Sequence, residues 1–399
     1  MKKIPLLIVF IVALLTNACL KKHDPEPNGE ISSMEVSAKR VNDDVIVDIV
    51  AYTDNGQVNP KTTTFDAAEI WIAEDVKGYA NMELAYTTTQ TSLKLENLKP
   101  DKDYYVAVKG IKNGKKTGFS KYIMFVNRSL KPTSTLFEMP ASAVYYIKSS
   151  STRPYVAYLD NTTGEVILQN WQDKSKKVIV KNTDTKVYQV RGFYAEGSRL
   201  FLETSNPYNH SERAFEYYDL ATKKFVAVEL PARARVWNYA FSADASKLAY
   251  TDYSRQGLYI YDMTTKEDKK YLSDSFYSFE WSADGKNIYL IRNKAFMGPP
   301  IAEIVKYDIT NAAQEPTPLF EWRDETMAWV MLSPKEEYIL FASYISNSPD
   351  LWIFEFKTKK FWQISGIINF GWLSDKEFFV TTGESESGTT YKTYKYTMP

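Results

Sequence analysis

Along the first third of the chain, apolar and polar residues alternate with a period of two. DVIVDIVAYTD (44–54), AEIWIAED (68–75), TSLKLENL (91–98) and DYYVAVKGI (103–111) each read as a half-buried strand flanked by turn formers. Beyond Lys131 a longer period is added. FYAEGSRLFL begins at Phe193, FSADASKLAY at Phe241, WSADGKNIYL at Trp281, LSPKEEYILF at Leu332 and WLSDKEFFV at Trp372, at intervals of 48, 40, 51 and 40 residues. In each copy a strand ends, a polar Ser/Asp/Gly/Lys turn follows, and a second strand starts. Asp284-Gly285 is the strongest hairpin signal, because glycine tolerates positive φ. A second strand–turn–strand unit follows each copy, beginning at Ala214, Leu258, Ile304 and Leu351, with a divergent first case at Val166.

Four strands per 40–50 residues is the signature of a β-propeller blade. The blades start near Ala143, Lys186, Arg235, Phe276, Met327 and Ile367, which makes six. The last blade has only INFGW, EFFVTTG and TYKTYKYT before the chain stops, and an open edge there invites aggregation. TSTLFEMP (133–140) resembles the fourth strands of other blades and is expected to supply the missing one. The predicted fold is therefore all-β, with a sandwich at 31–130 and a six-bladed propeller at 133–399. Asp219, Asp262, Asp308 and Glu355 recur just before the third-to-fourth-strand turn, where the expected role is turn hydrogen bonding and not catalysis.

Within the sandwich, Leu98, Pro100 and Tyr104 resemble the tyrosine corner of fibronectin type III domains, an immunoglobulin-like fold, and the hairpin at Asn113-Gly114 is similar to that family's last one. The resemblance implies that the Tyr104 hydroxyl bonds back to the backbone near the corner, and that the module is a spacer with Trp71 in its core. The S-x-D-G-K units resemble the repeats of TolB-type, WD-like propellers. They are faintly similar to sialidase Asp-boxes, but lack the glycine spacing and tryptophan of that pattern.

Residues 1–19, MKKIPLLIVFIVALLTNAC, place Lys2 and Lys3 before a 12-residue apolar run, too short to span a bilayer comfortably and right for a secretion signal. Ala18 precedes Cys19, the one cysteine. This resembles a bacterial lipoprotein signal peptide, with Thr16 where that family has an aliphatic residue. The resemblance implies acylation of Cys19, anchoring in the membrane by lipid, and, because Leu20 follows, an outer-membrane address in the cell envelope. LKKHDPEPNGE (20–30) reads as a polar tether.

Composition narrows the function. The 49 basic and 49 acidic residues cancel, so no basic field exists for nucleic acid. Two histidines, His23 in the tether and His210, cannot build a multi-histidine metal site, and no nucleophile elbow, phosphate loop or dinucleotide fingerprint occurs. No cofactor, metal or catalytic residue is therefore expected. The segments predicted as long loops, 204–213, 292–301, 343–350 and 383–390, lie on one face of the ring with the blade connections 231–237 and 321–329. They carry Tyr208, Arg233, Arg235, Trp237, Phe296, Met297, Arg323 and Tyr344, side-chain types suited to anchoring a protein or a glycan. Trp237 also reads as a core residue, since it heads an inner strand. The resulting expectation is a binding or scaffold module. The alternative is a glycosidase-like carbohydrate-active enzyme, which needs only two carboxylates in the channel, with Glu212, Asp274, Asp324 and Glu325 available in predicted loops.

Overall fold

The computed structural model describes residues 31–41, 44–53, 61–74, 79–120, 122–126, 128, 130–140, 147–230, 236–252, 257–273, 276–293, 301–311, 314–323, 326–345, 348–382 and 390–399. The signal segment, Cys19 and the tether lie outside them. Among the described residues, no helix is long and apolar enough to cross a membrane, and one short 3₁₀ turn, Tyr79–Asn81, interrupts the strands. The chain divides into two compact units, Met1–Asn127 and Arg128–Pro399.

The first unit has two antiparallel sheets. In one, the strand Asp44–Thr53 pairs with Ser33–Val41 on one side and with Lys61–Thr63 and Ser92–Leu95 on the other. In the other, Asp103–Lys112 pairs with Ala67–Glu74, Lys115–Lys116 and Ile123–Val126. Ile70, Val106 and Val108 are fully buried on one face of that sheet, as period-two alternation requires. Trp71 points to the opposite face. There it meets Phe119 edge-on at 5.4 Å and packs, partly buried, against a core cluster of Ala73, Met82, Tyr105 and Ala107. The Lys99 N–H donates to the Tyr104 hydroxyl at 2.7 Å, which ties the turn 97–101 to the strand it precedes.

The second unit is a β-propeller of six four-stranded antiparallel sheets, each formed by strands consecutive in sequence except the last. In the sixth blade Ser134–Pro140 pairs antiparallel with Thr390–Thr397 and occupies the outer position. The innermost strands are Lys148–Ser149, Val187–Tyr194, Val236–Phe241, Phe276–Trp281, Thr326–Leu332 and Ile367–Trp372, for blades one to six.

The repeated hairpin explains its own recurrence. Ser242 Oγ donates to Asp244 at 2.6 Å and accepts the Lys247 N–H at 3.0 Å. Ser282 repeats this with Asp284 at 2.7 Å and the Asn287 N–H at 2.8 Å. Short polar side chains thus satisfy a reversal that leaves backbone donors unpaired. The outer turns follow the same logic. Asp219 accepts the Ala221 and Thr222 N–H groups at 3.0 and 2.7 Å, and Asp262 those of Thr264 and Thr265 at 2.8 and 2.9 Å. These bonds hold both carboxyls below their usual range.

Neighbouring blades are stitched together by the leading residues of the repeats. Trp281 Nε1 donates to the Ala240 carbonyl at 2.9 Å, and Trp372 Nε1 to that of Met331 at 3.2 Å. Ser149 Oγ donates to the Trp372 carbonyl at 2.6 Å and joins the first blade to the sixth, closing the ring.

Candidate functional site

One position of the repeat brings two charged groups within electrostatic reach of each other. The backbone bond from Ser150 N–H to Tyr155 O matches those from Ser242 to Lys247, Ser282 to Asn287 and Ser333 to Tyr338. Aligned on that bond and on the strand pairing, the residues just before the leading positions are Lys148, Gly192, Ala240, Glu280, Met331 and Gly371. Two of the six are charged, and they stand on blades one and four, opposite each other in a ring of six.

The charges act on each other across the axis. Burial, then the positive charge of Arg191, lowers Lys148 to about 8, and Glu280 pulls the other way. Burial raises Glu280 to about 7, against the Trp281 N–H and Lys148. Both residues are partly buried and keep some accessible surface. Tyr194, on blade two, is raised by burial and by the charge of Glu280.

Arg191 sits where the innermost strand of blade two breaks register, between Val190 and Gly192. A bulge of this kind re-aims a side chain. Its guanidinium donates to Gln189 Oε1 at 2.6 Å, pairs with the buried Glu203 and lies over the Tyr239 ring at 5.7 Å. Glu203 also accepts the Tyr239 hydroxyl at 3.1 Å and lies 3.4 Å from Arg213 Nε, so it is held as a structural counter-ion. The innermost strands of blades three to six carry register breaks as well. In blade five the break holds Trp329, which has φ of 50° and is 48% exposed, unusual for a tryptophan midway along an inner strand.

The residues singled out from sequence are placed as follows. Tyr208 is 84% exposed at a turn of blade two. That turn is tighter than the loop 204–213 expected, because pairing runs on to Asn206 and Asn209 around Pro207 and Tyr208. Arg323 ends the outer strand of blade four opposite Ile301, and Tyr344 lies within a strand of blade five, between Thr326 and Pro349. Both were expected in loops; backbone pairing extends the strands through them. Trp237 lies near the start of the innermost strand of blade three. The side chains of these three, and Arg233, Arg235, Phe296 and Met297 entirely, lie outside the described residues, as does Cys19. Of the carboxylates considered for a glycosidase, Asp274, Asp324 and Glu325 and the Glu212 side chain also lie outside them. Among the described residues, no three His, Cys, Asp or Glu side chains converge on a point that could hold a metal ion.

Sequence reasoning missed the axial set. Its signal was present: in the aligned repeats, Lys148 and Glu280 are charged where the other copies carry Gly, Ala or Met.

No protein-family model and no curated protein matches the chain. Among solved structures it is similar to TolB from Acinetobacter baumannii, at 12% identity over 83% of this chain and 79% of that one, with a TM-score of 0.43. It is similar to the β-propeller domain of the trilobed protease from Pyrococcus furiosus, at 13% identity over 92% and 94%, with a TM-score of 0.42. An oligogalacturonate lyase in complex with manganese shares 11% identity over 74% and 86%, with a TM-score of 0.44.

Proposed function

We propose that the chain is a lipid-anchored binding module of the cell envelope. Acylated Cys19 holds it in the outer membrane, a fibronectin type III-like sandwich serves as spacer, and the propeller engages a protein or glycan through its axis and the face that carries Tyr208. The observation that carries the binding reading is the axial lining. A ring serving only as scaffold would be plugged by apolar side chains. This one places Lys148, Arg191, Glu280 and a half-exposed Trp329 on its innermost strands. Solvent-accessible aromatic and cationic groups held on rigid strands are the anchors that binding sites favour.

Binding is preferred over glycoside hydrolysis. A glycosidase needs two carboxyl groups facing one bond. Among the described axial residues Glu280 is the carboxyl not locked to an arginine, since Glu203 is paired with Arg191 and Arg213.

The test is affinity capture from homologous envelope extract by the full chain in detergent, beside a Tyr208→Ala/Trp329→Ala variant. A protein or glycan retained by the wild type and lost from the variant is the expected result. Equal retention by both would overturn the choice of face. Incorporation of radiolabelled palmitate into the wild type and its loss in Cys19→Ala tests the anchor separately.

A further inference from the structure

The first unit contains a cavity, which a spacer does not require. Its volume is about 430 Å³, within the roughly 300–1,000 Å³ of ligand sites. The strand Glu83–Thr88 pairs with Ala67–Glu74 and ends their sheet. Glu83, Leu84 and Tyr86 of this edge strand line the cavity together with Glu96 and Asn97 of the turn after Ser92–Leu95. Pairing breaks register between Ile70 and Trp71, which leaves Ala85, also at the cavity, with no residue opposite it. A bulge at a sheet edge re-aims the side chains beside it. Strand and turn are tied together. The Tyr86 hydroxyl donates to the Glu96 carbonyl at 2.8 Å and accepts the Glu96 N–H at 2.9 Å. The cavity is therefore held open by the fold itself, a preorganisation that lowers the cost of binding.

The lining narrows the ligand. The carboxylates of Glu83 and Glu96 and the amides of Asn81 and Asn97 are exposed and make no hydrogen bond or ion pair with a described residue. The third carboxylate, Glu74, is paired with Lys99 at 2.9 Å. No lysine or arginine is among the lining residues, which disfavours an anion. The three carboxylates do not converge on a point that could hold a metal ion, so they are spread around the space and do not focus on one charge. Carboxylates accept hydrogen bonds, and amides both donate and accept. Such groups at separate points suit a ligand that presents several hydroxyls. Apolar surface adjoins them. Leu84 is 47% exposed and lies opposite Trp71 on the same sheet face. Lys109 caps Trp71 and Phe119 there, while Tyr79, stacked on Phe119 at 5.1 Å, is 40% exposed.

We infer that this cavity binds a neutral saccharide, with Glu83, Glu96, Asn81 and Asn97 taking its hydroxyls and Leu84 meeting its C–H surface. The site lies in the first unit and does not depend on binding by the propeller.

Calorimetric titration of the full chain in a detergent that carries no sugar tests it. The probes are cellohexaose, maltohexaose, xylohexaose and chitohexaose, with spermidine as a cation and hexagalacturonate as an anion. At least one neutral oligosaccharide is expected to bind, with little change at high salt. The Glu83→Ala/Glu96→Ala variant is expected to weaken that binding at least about tenfold, because two acceptors are lost. The Tyr208→Ala/Trp329→Ala variant is expected to bind the oligosaccharide like wild type. Binding of spermidine or hexagalacturonate in place of the neutral probes, or no binding of any probe, would overturn the inference. So would an oligosaccharide bound equally by wild type and the glutamate variant. Loss in the Tyr208/Trp329 variant alone would move the glycan to the propeller face. Should the glutamate variant fail to fold, carbodiimide labelling of the wild type decides the same point by mass spectrometry. The bound oligosaccharide is expected to protect Glu83 and Glu96, and unchanged labelling of both would overturn the assignment.

Discussion

At the scale of single residues, the hairpins set conformational demands that sequence alone left implicit. Ala245 has φ of 58° and Gly285, at the matching place one blade on, has 65°. The left-handed region costs a residue with a β-carbon roughly 1 kcal/mol relative to glycine. Gly285→Ala is therefore expected to destabilise the chain by about 1 kcal/mol. At Ala245→Gly the conformational gain is offset by loss of a methyl buried in the core cluster of Phe201, Phe241 and Tyr250, and little net change is expected. No atom lies near a β-carbon added at Gly285, so that cost is purely conformational. Chemical denaturation midpoints measure both. The axial charges make a second residue-scale claim. Glu280 ionises near 7 in the fold and near 4.5 when unfolded. The folded state thus binds more protons between those values, and its contribution to stability falls as pH rises through that window. Lys148 has the opposite displacement, from 10.5 to about 8, so its contribution recovers as pH rises from about 8 towards 10.5. Glu280→Gln is expected to flatten the decline between pH 4.5 and 7, as seen in melting temperatures across pH. An unchanged slope would mean that Glu280 is not desolvated. Lys148 is also expected to acylate faster near neutral pH than Lys99 and Lys335, whose carboxylate partners raise their pKa.

At the scale of elements, the strand–turn–strand repeat was the most legible feature of the chain. It repeats a chemical necessity: Ser242 with Asp244 and Ser282 with Asp284 satisfy the same backbone groups in the same way. The stretches 204–213 and 343–350 were misread as loops. Asn, Pro and Ser in them are turn formers, but cross-strand pairing at Asn206–Asn209 and Ile345–Ser348 overrides that local preference. Trp71 reads as core from its alternating strand and packs against a core cluster. Alternation along 67–74 fixes which residues share a face, but not that both faces of its sheet are covered. The charged pair in blade four was invisible to pattern reading, because Arg292 and Glu303 lie on different strands and meet only through register. Arg292 Nε donates to the fully buried Glu303 at 2.6 Å. Arg292→Ala leaves that carboxylate deprived of its cation and is expected to cost about 3–5 kcal/mol. The Arg292→Met/Glu303→Leu double variant should recover much of it, as urea denaturation would show.

At the scale of the whole molecule, blade number and ring closure followed from counting repeats, whereas the axis did not. What makes Lys148 and Glu280 neighbours is that blades one and four oppose each other, a fact of closure and not of sequence distance. Closure depends on Ser134–Pro140, which inserts Leu136 and Phe137 into a cluster with Ile147, Val156 and Phe379. Leu136→Asp is expected to open the sixth blade and lower the melting temperature sharply, while leaving the first unit folded. The central claim is that this closed ring presents a binding surface at its axis and at the face of Tyr208. The most direct measurement is site-specific photo-crosslinking in intact cells, with p-benzoylphenylalanine at Trp329, at Tyr208, and at the exposed Val178 on the outer strand of blade one. The account expects one shared adduct from positions 329 and 208 and none from 178. An adduct from 178 alone, or equal labelling from all three, would contradict it.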